Sequence, residues 1–187
     1  MNDRETSTAI QQPIPGRACG SCMLCCKLPA IASLDKPMGK WCLHAAPGAG
    51  CASYEKRPGE CREFLCDWLL DPGLGPDWKP DRAKFYVHSA QNGGLNIMVD
   101  PGSPAAWRDA HYYPAIKTAA ARLLVDGRNV FVLIGRRVVV VFPDRDVDMG
   151  AVPDGHCVRT FSHSVNGRMV WDARIERTAP SVQNGEV

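Results

Sequence analysis

Eight of the chain's nine cysteines fall between Cys19 and Cys66, and no other feature so narrows what it can fold into. They run Cys19-x2-Cys22-x2-Cys25-Cys26, then Cys42, Cys51, Cys61 and Cys66. Thiols at this density either close disulfides or hold metal, and the redox compartment decides between the two. The polar start, Met1-Asn2-Asp3-Arg4-Glu5-Thr6, offers no apolar stretch to serve as a secretion signal, and no apolar run is long enough to span a bilayer. The reading is therefore a cytoplasmic chain, in which clustered thiols hold metal or do redox chemistry.

The cysteines also divide the sequence. Residues 1–14 are polar, end in a Pro-rich stretch and are expected to form a disordered tail. Residues 15–80 are rich in Gly, Pro and Cys and poor in long apolar stretches, so cross-linking by metal is expected to organise them as a cysteine-cluster module. Pro58 to Leu70 reads as its clearest helix, with Pro58 in the first turn, Glu60 and Glu63 near the positive end of the dipole and Asp71-Pro72-Gly73 as the stop. A Pro and Gly rich connector, 71–80, leads into ordinary globular sequence. Residues 81–187 read as an α+β portion with antiparallel hairpins: Phe85–His88 with Leu95–Val99 across Asn92-Gly93-Gly94, and Val130–Ile134 with Val138–Phe142 across Gly135-Arg136-Arg137. Between them, Ile116, Ala119, Ala120, Leu123 and Leu124 recur at helical spacing over Tyr113–Val125, with Gly127 placed to end the helix. Strands are expected around Val158 and Met169–Ile175. The fold class is thus α+β: a small metal-organised module followed by an α+β portion.

Eight thiols suffice for two four-coordinate sites or one multinuclear cluster. A Cys-x2-Cys spacing lets one turn aim two thiolates at one ion, which suits the overlapping pairs Cys19/Cys22 and Cys22/Cys25. Adjacent Cys25 and Cys26 diverge, so they serve different sites, or one is a ligand and the other is buried. Cys61 and Cys66, five residues apart on an unbroken helix, would point about 140° from one another. Either the helix opens near Leu65, or Cys66 faces a second site or the core beside Trp68. The plain alternative is that several of these cysteines are small buried hydrophobes. His44, in Trp41-Cys42-Leu43-His44, is a conceivable nitrogen ligand, though an exposed loop histidine is the commoner case. Eight thiolates around two divalent ions would leave about four negative charges, which Arg17, Lys27, Arg57 and Arg62 could offset; the alternative is solvated surface charge, the commoner case for a lysine such as Lys27.

The pattern Cys19-x2-Cys22-x2-Cys25-Cys26, Trp41-Cys42 and Cys51-x2-Tyr54-x2-Arg57-Pro58-x2-Cys61-Arg62-x-Phe64-x-Cys66 resembles the YkgJ-type cysteine-cluster family, described as a zinc- or iron-chelating domain. The likeness covers residues 17–70, roughly a third of the chain. It implies that Cys19, Cys22, Cys25, Cys26, Cys42, Cys51, Cys61 and Cys66 are metal ligands, but brings no settled metal or reaction. One departure is Leu65, where relatives often carry proline just before the last cysteine.

The metal is expected to be iron, as an iron–sulfur cluster, only marginally ahead of zinc. The run Cys-x2-Cys-x2-Cys occurs in ferredoxins, but their Cys-x3-Cys-Pro continuation is absent, and so is the second Cys-x2-Cys of a zinc ribbon. The reading is a metal-binding protein; an iron–sulfur oxidoreductase and a zinc-organised interaction module are the alternatives. No Gly-x-Gly-x-x-Gly, Walker loop, His-Glu-x-x-His or Gly-x-Ser-x-Gly occurs, which leaves nucleotide binding, zinc peptidase and esterase chemistry without their usual supports. A formal charge of +2 gives no electrostatic reason to expect nucleic acid or an anionic membrane, and Arg136-Arg137 makes a poor nucleic-acid footprint. His88, His111 and His163 lack partners at ligand spacing. His156-Cys157 does not by itself define a nucleophile and base, and Cys157 is read as idle.

Overall fold

The computed structural model describes residues 12–178. Most of the expected N-terminal tail lies outside the described residues, but Ile14 donates its N–H to the Leu69 carbonyl at 2.9 Å, so the chain is anchored from that point. The chain divides into two units, Met1–His88 and Ser89–Val187. The sequence places this division near residue 80. Aromatic packing explains the later position: Trp78 meets Phe85 edge-on with centroids 5.8 Å apart, and Phe64 meets Tyr86 at 5.2 Å, which ties residues 81–88 to the first unit.

The first unit is built from short pieces. Its helices α1 (Leu24–Lys27), α2 (Gly59–Glu63), α3 (Asp67–Leu70) and α4 (Pro80–Ala83) have four or five residues each, too few to be stable without tertiary support. Strands β1 (Ala45–Ala46) and β2 (Gly50–Cys51) form a minimal antiparallel pair. Leu24, Leu28, Ile31, Leu69, Phe85 and Tyr86 are buried. The single helix expected over 58–70 is corrected: the backbone turns extended at Phe64 (ψ 116°) and Cys66 (ψ 151°), leaving α2 and α3 as separate turns. No proline forces this break. Phe64 instead packs between the Tyr86 and His88 rings, at 5.2 and 5.3 Å, and tertiary contact overrides the helix propensity of Leu65.

Strand β3 (Phe85–Ser89) ends the first unit, and the second holds a sheet of order β4-β5-β6-β7, with β4 Leu95–Val99, β5 Val130–Ile134, β6 Arg137–Val141 and β7 Asp146–Ala151. Helix α5 (Tyr113–Leu124) buries Ile116, Ala120 and Leu123, and Gly127, at φ +68°, lets the chain leave it while Arg128 N–H closes on Leu123 C=O. The sheet is mixed, because β4 and β5 run parallel in the register Leu95↔Val130 to Val99↔Ile134. Parallel neighbours need a crossover, and α5 lies in it. The β5–β6 hairpin is as expected, with its second strand starting one residue earlier, at Arg137. Strands β8 (His156–Val165) and β9 (Arg168–Arg177), ten residues each, form a separate hairpin, turned at Asn166 (φ +49°) and Gly167 (φ +76°). No helix among the described residues is long and apolar enough to cross a membrane.

Candidate metal centre

The first unit brings all eight cysteines of the N-terminal run to the walls of two hollows. The larger is a cleft of about 280 Å³ lined by Cys19, Cys22, Cys25, Cys26, Cys42, Cys51 and Cys61. The smaller, of about 30 Å³, is lined by Cys19, Cys22, Cys25 and Cys66, with Phe64, Trp68, Leu69, Pro80 and Tyr86. Phe64 borders both.

Local backbone chemistry sets these positions. A turn closed by Cys22 N–H on Cys19 C=O (2.9 Å) presents the first pair, and α1 carries Cys25 and Cys26. Cys42 reaches the cluster because its N–H donates to the Cys26 carbonyl at 2.9 Å, and Cys51 arrives on β2. Gly50 lies against the Gly20 carbonyl so closely that a Cβ at Gly50 would sit 2.5 Å from that oxygen, which brings β2 beside the first Cys-x2-Cys turn. Cys61 rides on α2, and the break after Phe64 places Cys66 at the head of α3.

Burial and neighbouring charge shape the thiols. Desolvation raises Cys19 and Cys22 above the ordinary thiol range and lifts Cys66 to about 11. Desolvation, with the nearby Cys26, Cys42 and Cys51, raises Cys61. Cys25 and Cys26 share a hydrogen bond that holds the proton on Cys25 and lowers Cys26, with Lys36 and Arg57 adding to its stabilisation as thiolate. Lys36 is a residue that the sequence pattern does not reveal. Only 6% exposed, it donates through Nζ to the carbonyls of Lys27 (3.0 Å), Pro29 and Pro37 (3.3 Å). Burial lowers its pKa, while Cys42, Cys26 and Cys61 favour its charge. No sequence signal marks it, since a lone lysine beside proline reads as surface.

The other basic residues have distinct roles. Arg17, expected to offset thiolate charge, is instead a backbone clasp: it donates to the carbonyls of Trp68, Asp71 (2.9 Å) and Leu74 (2.7 Å) and lies over the Trp68 ring. Arg57 lines the cleft, stacked 3.6 Å over Tyr54 and donating to its carbonyl. Arg62 is exposed, and Lys27 lies over Trp41. His44 is exposed but stands on the cleft wall. Cys157, on β8, pairs in register with Glu176, far in sequence from the other eight. His156 and Cys157, adjacent on that strand, face opposite ways, and His156 Nδ1 lies 3.0 Å from the Asp154 carbonyl, so the pair is no nucleophile and base.

All nine cysteines are free thiols. Among the described residues no three Cys, His, Asp or Glu side chains stand in a set ready to hold an ion. The donor set itself, soft thiols without competing carboxylates in the smaller hollow, fits zinc or iron–sulfur chemistry. No family model, curated protein or solved structure matches the chain, so the family likeness rests on the residue pattern alone.

Proposed function

We propose that the protein is a metal-binding cysteine-cluster protein whose N-terminal unit takes up zinc or iron through the eight clustered thiols. One observation carries this reading: cysteines scattered over nearly fifty positions of sequence, from Cys19 to Cys66, all come to the walls of two adjoining hollows, whereas Cys157 does not. Cysteines serving merely as small core residues would be dispersed among aliphatic neighbours. Short helices with a thin apolar core are also the build of units that draw folding free energy from metal. Thiolate sets of this kind take zinc or iron–sulfur clusters. The room in the larger cleft favours the iron–sulfur form there, and with it a redox role. The test is metal content of the full chain and of its Cys22→Ser and Cys157→Ser variants. Metal bound by the parent, reduced by Cys22→Ser and kept by Cys157→Ser, supports the reading; the reverse pattern overturns it.

A further inference from the structure

We infer that the eight thiols form two unlike sites: Cys19, Cys22, Cys25 and Cys66 enclose a single ion, while Cys26, Cys42, Cys51 and Cys61 hold metal at the wall of the open cleft, within reach of exchanging ligands. This inference rests on the metal-binding reading and adds to it the division of the ligands and the different accessibility of the two centres.

The division follows from which thiols stand where. The smaller hollow is bordered by four cysteines, the number that closes a tetrahedral structural site. At about 30 Å³ it offers a small fraction of the cleft's room, which suits one ion better than a multi-iron cluster. Phe64, Trp68, Leu69 and Tyr86 wall it with apolar surface, and Leu69 and Tyr86 are almost wholly buried. The remaining four cysteines border the larger cleft and not the smaller hollow, whereas Cys19, Cys22 and Cys25 border both and Cys66 borders the smaller of the two alone. At about 280 Å³ that cleft approaches the size of small-molecule pockets, about 300 Å³ upward, and His44, Lys56, Arg57 and Glu60 stand among its mostly apolar walls.

Two local features lead to the same division. Cys25 and Cys26 are consecutive on α1 and joined by a hydrogen bond, and of the two only Cys25 borders the smaller hollow. The extended backbone at Phe64 and Cys66 separates Cys61, on the cleft, from Cys66, on the smaller hollow. The two hollows differ about ninefold in volume, so a chelator or substrate has room at the larger one that the smaller lacks.

The test uses the full chain as purified anaerobically. It is challenged with EDTA in the presence of N-ethylmaleimide, and the modified cysteines are mapped with time by peptide mass spectrometry while released metal is counted. The inference expects Cys26, Cys42, Cys51 and Cys61 to lose protection together with the first metal released, and Cys19, Cys22, Cys25 and Cys66 to follow as a second set with the last ion. The Cys66→Ser chain should lose the slow phase and keep the fast one. Simultaneous modification of all eight, or sets that mix Cys61 with Cys66, would overturn the division while leaving metal binding intact. Protein that carries no metal and is modified at all eight before EDTA is added would overturn the underlying reading and the division with it.

Discussion

Gly50 meets the backbone of Gly20 with no room for a side chain: a Cβ at Gly50 would lie 2.5 Å from the Gly20 carbonyl oxygen, and Gly50 itself sits at φ +91°. The contact seats β2, with Cys51, beside the turn that carries Cys19 and Cys22. Gly48 has a similar positive φ, +77°, but open space around it. Gly50→Ala should therefore cost the first unit about 1–3 kcal/mol from backbone conformation, with the clash added, and Gly48→Ala should cost less. Urea unfolding followed by Trp fluorescence would check the order; equal losses would show that the close approach does not matter.

Lys36 holds three backbone carbonyls on one ammonium inside the first unit. Lys36→Met keeps much of the side-chain volume but strands those oxygens, which should destabilise the unit by about 1–3 kcal/mol. Thermal unfolding measures this. A melting curve unchanged from the parent would mean that water replaces the ammonium at no cost.

Metal removal should affect the two units differently. The first has little apolar core, whereas in the second Ile97, Val130, Val132, Val140 and Phe142 are fully buried around the sheet. After complete chelation, trypsin should cut freely within residues 15–88 and spare 89–178. Survival of the first region at its original resistance would show that it folds without metal.

Much of this was legible in the sequence where one local pattern dominates. The apolar spacing of Ile116, Ala120 and Leu123 with Gly127 behind it locates α5. The adjacency of Cys25 and Cys26 reads as divergent thiols, but the two side chains share a hydrogen bond. The opening at Phe64–Cys66 was legible only as one of two solutions to the Cys61 and Cys66 geometry, because Leu65 is a good helix former and the cause is aromatic packing against Tyr86 and His88. Asn166-Gly167 is a strong hairpin signal that delimits β8 and β9 more sharply than their apolar content does. Strand β7 has no such mark: Asp146-Val147-Asp148-Met149-Gly150-Ala151 lacks an apolar run, and it is held by its neighbour β6 and by ion pairs. The burial of Lys36 depends on contacts that no local pattern records.

The ion pair between Arg137 on β6 and Asp148 on β7 gives a pH signature. Arg137 Nε donates to both Asp148 carboxylate oxygens at 3.1 Å, and this holds the Asp148 carboxyl below the ordinary Asp value of about 3.9. A lowered carboxyl pKa stabilises the fold above the ordinary value, and that contribution is lost as pH falls through the lowered one. Because the pair is exposed, the effect is read best as a titration: the Asp148 carboxyl resonance should move at lower pH than that of a free Asp, and Arg137→Ala should shift it back up. An unmoved midpoint in the variant would assign the shift to the Gly150 amide instead.

Metal content and colour of the full chain, purified anaerobically without added metal, test the central claim most directly. The account predicts protein carrying zinc or iron in whole-number proportion to chain, brown and bleaching on reduction if an iron–sulfur cluster occupies the cleft, and colourless if both centres hold zinc. Folded protein with neither metal, and with no uptake of either on reconstitution, would contradict it.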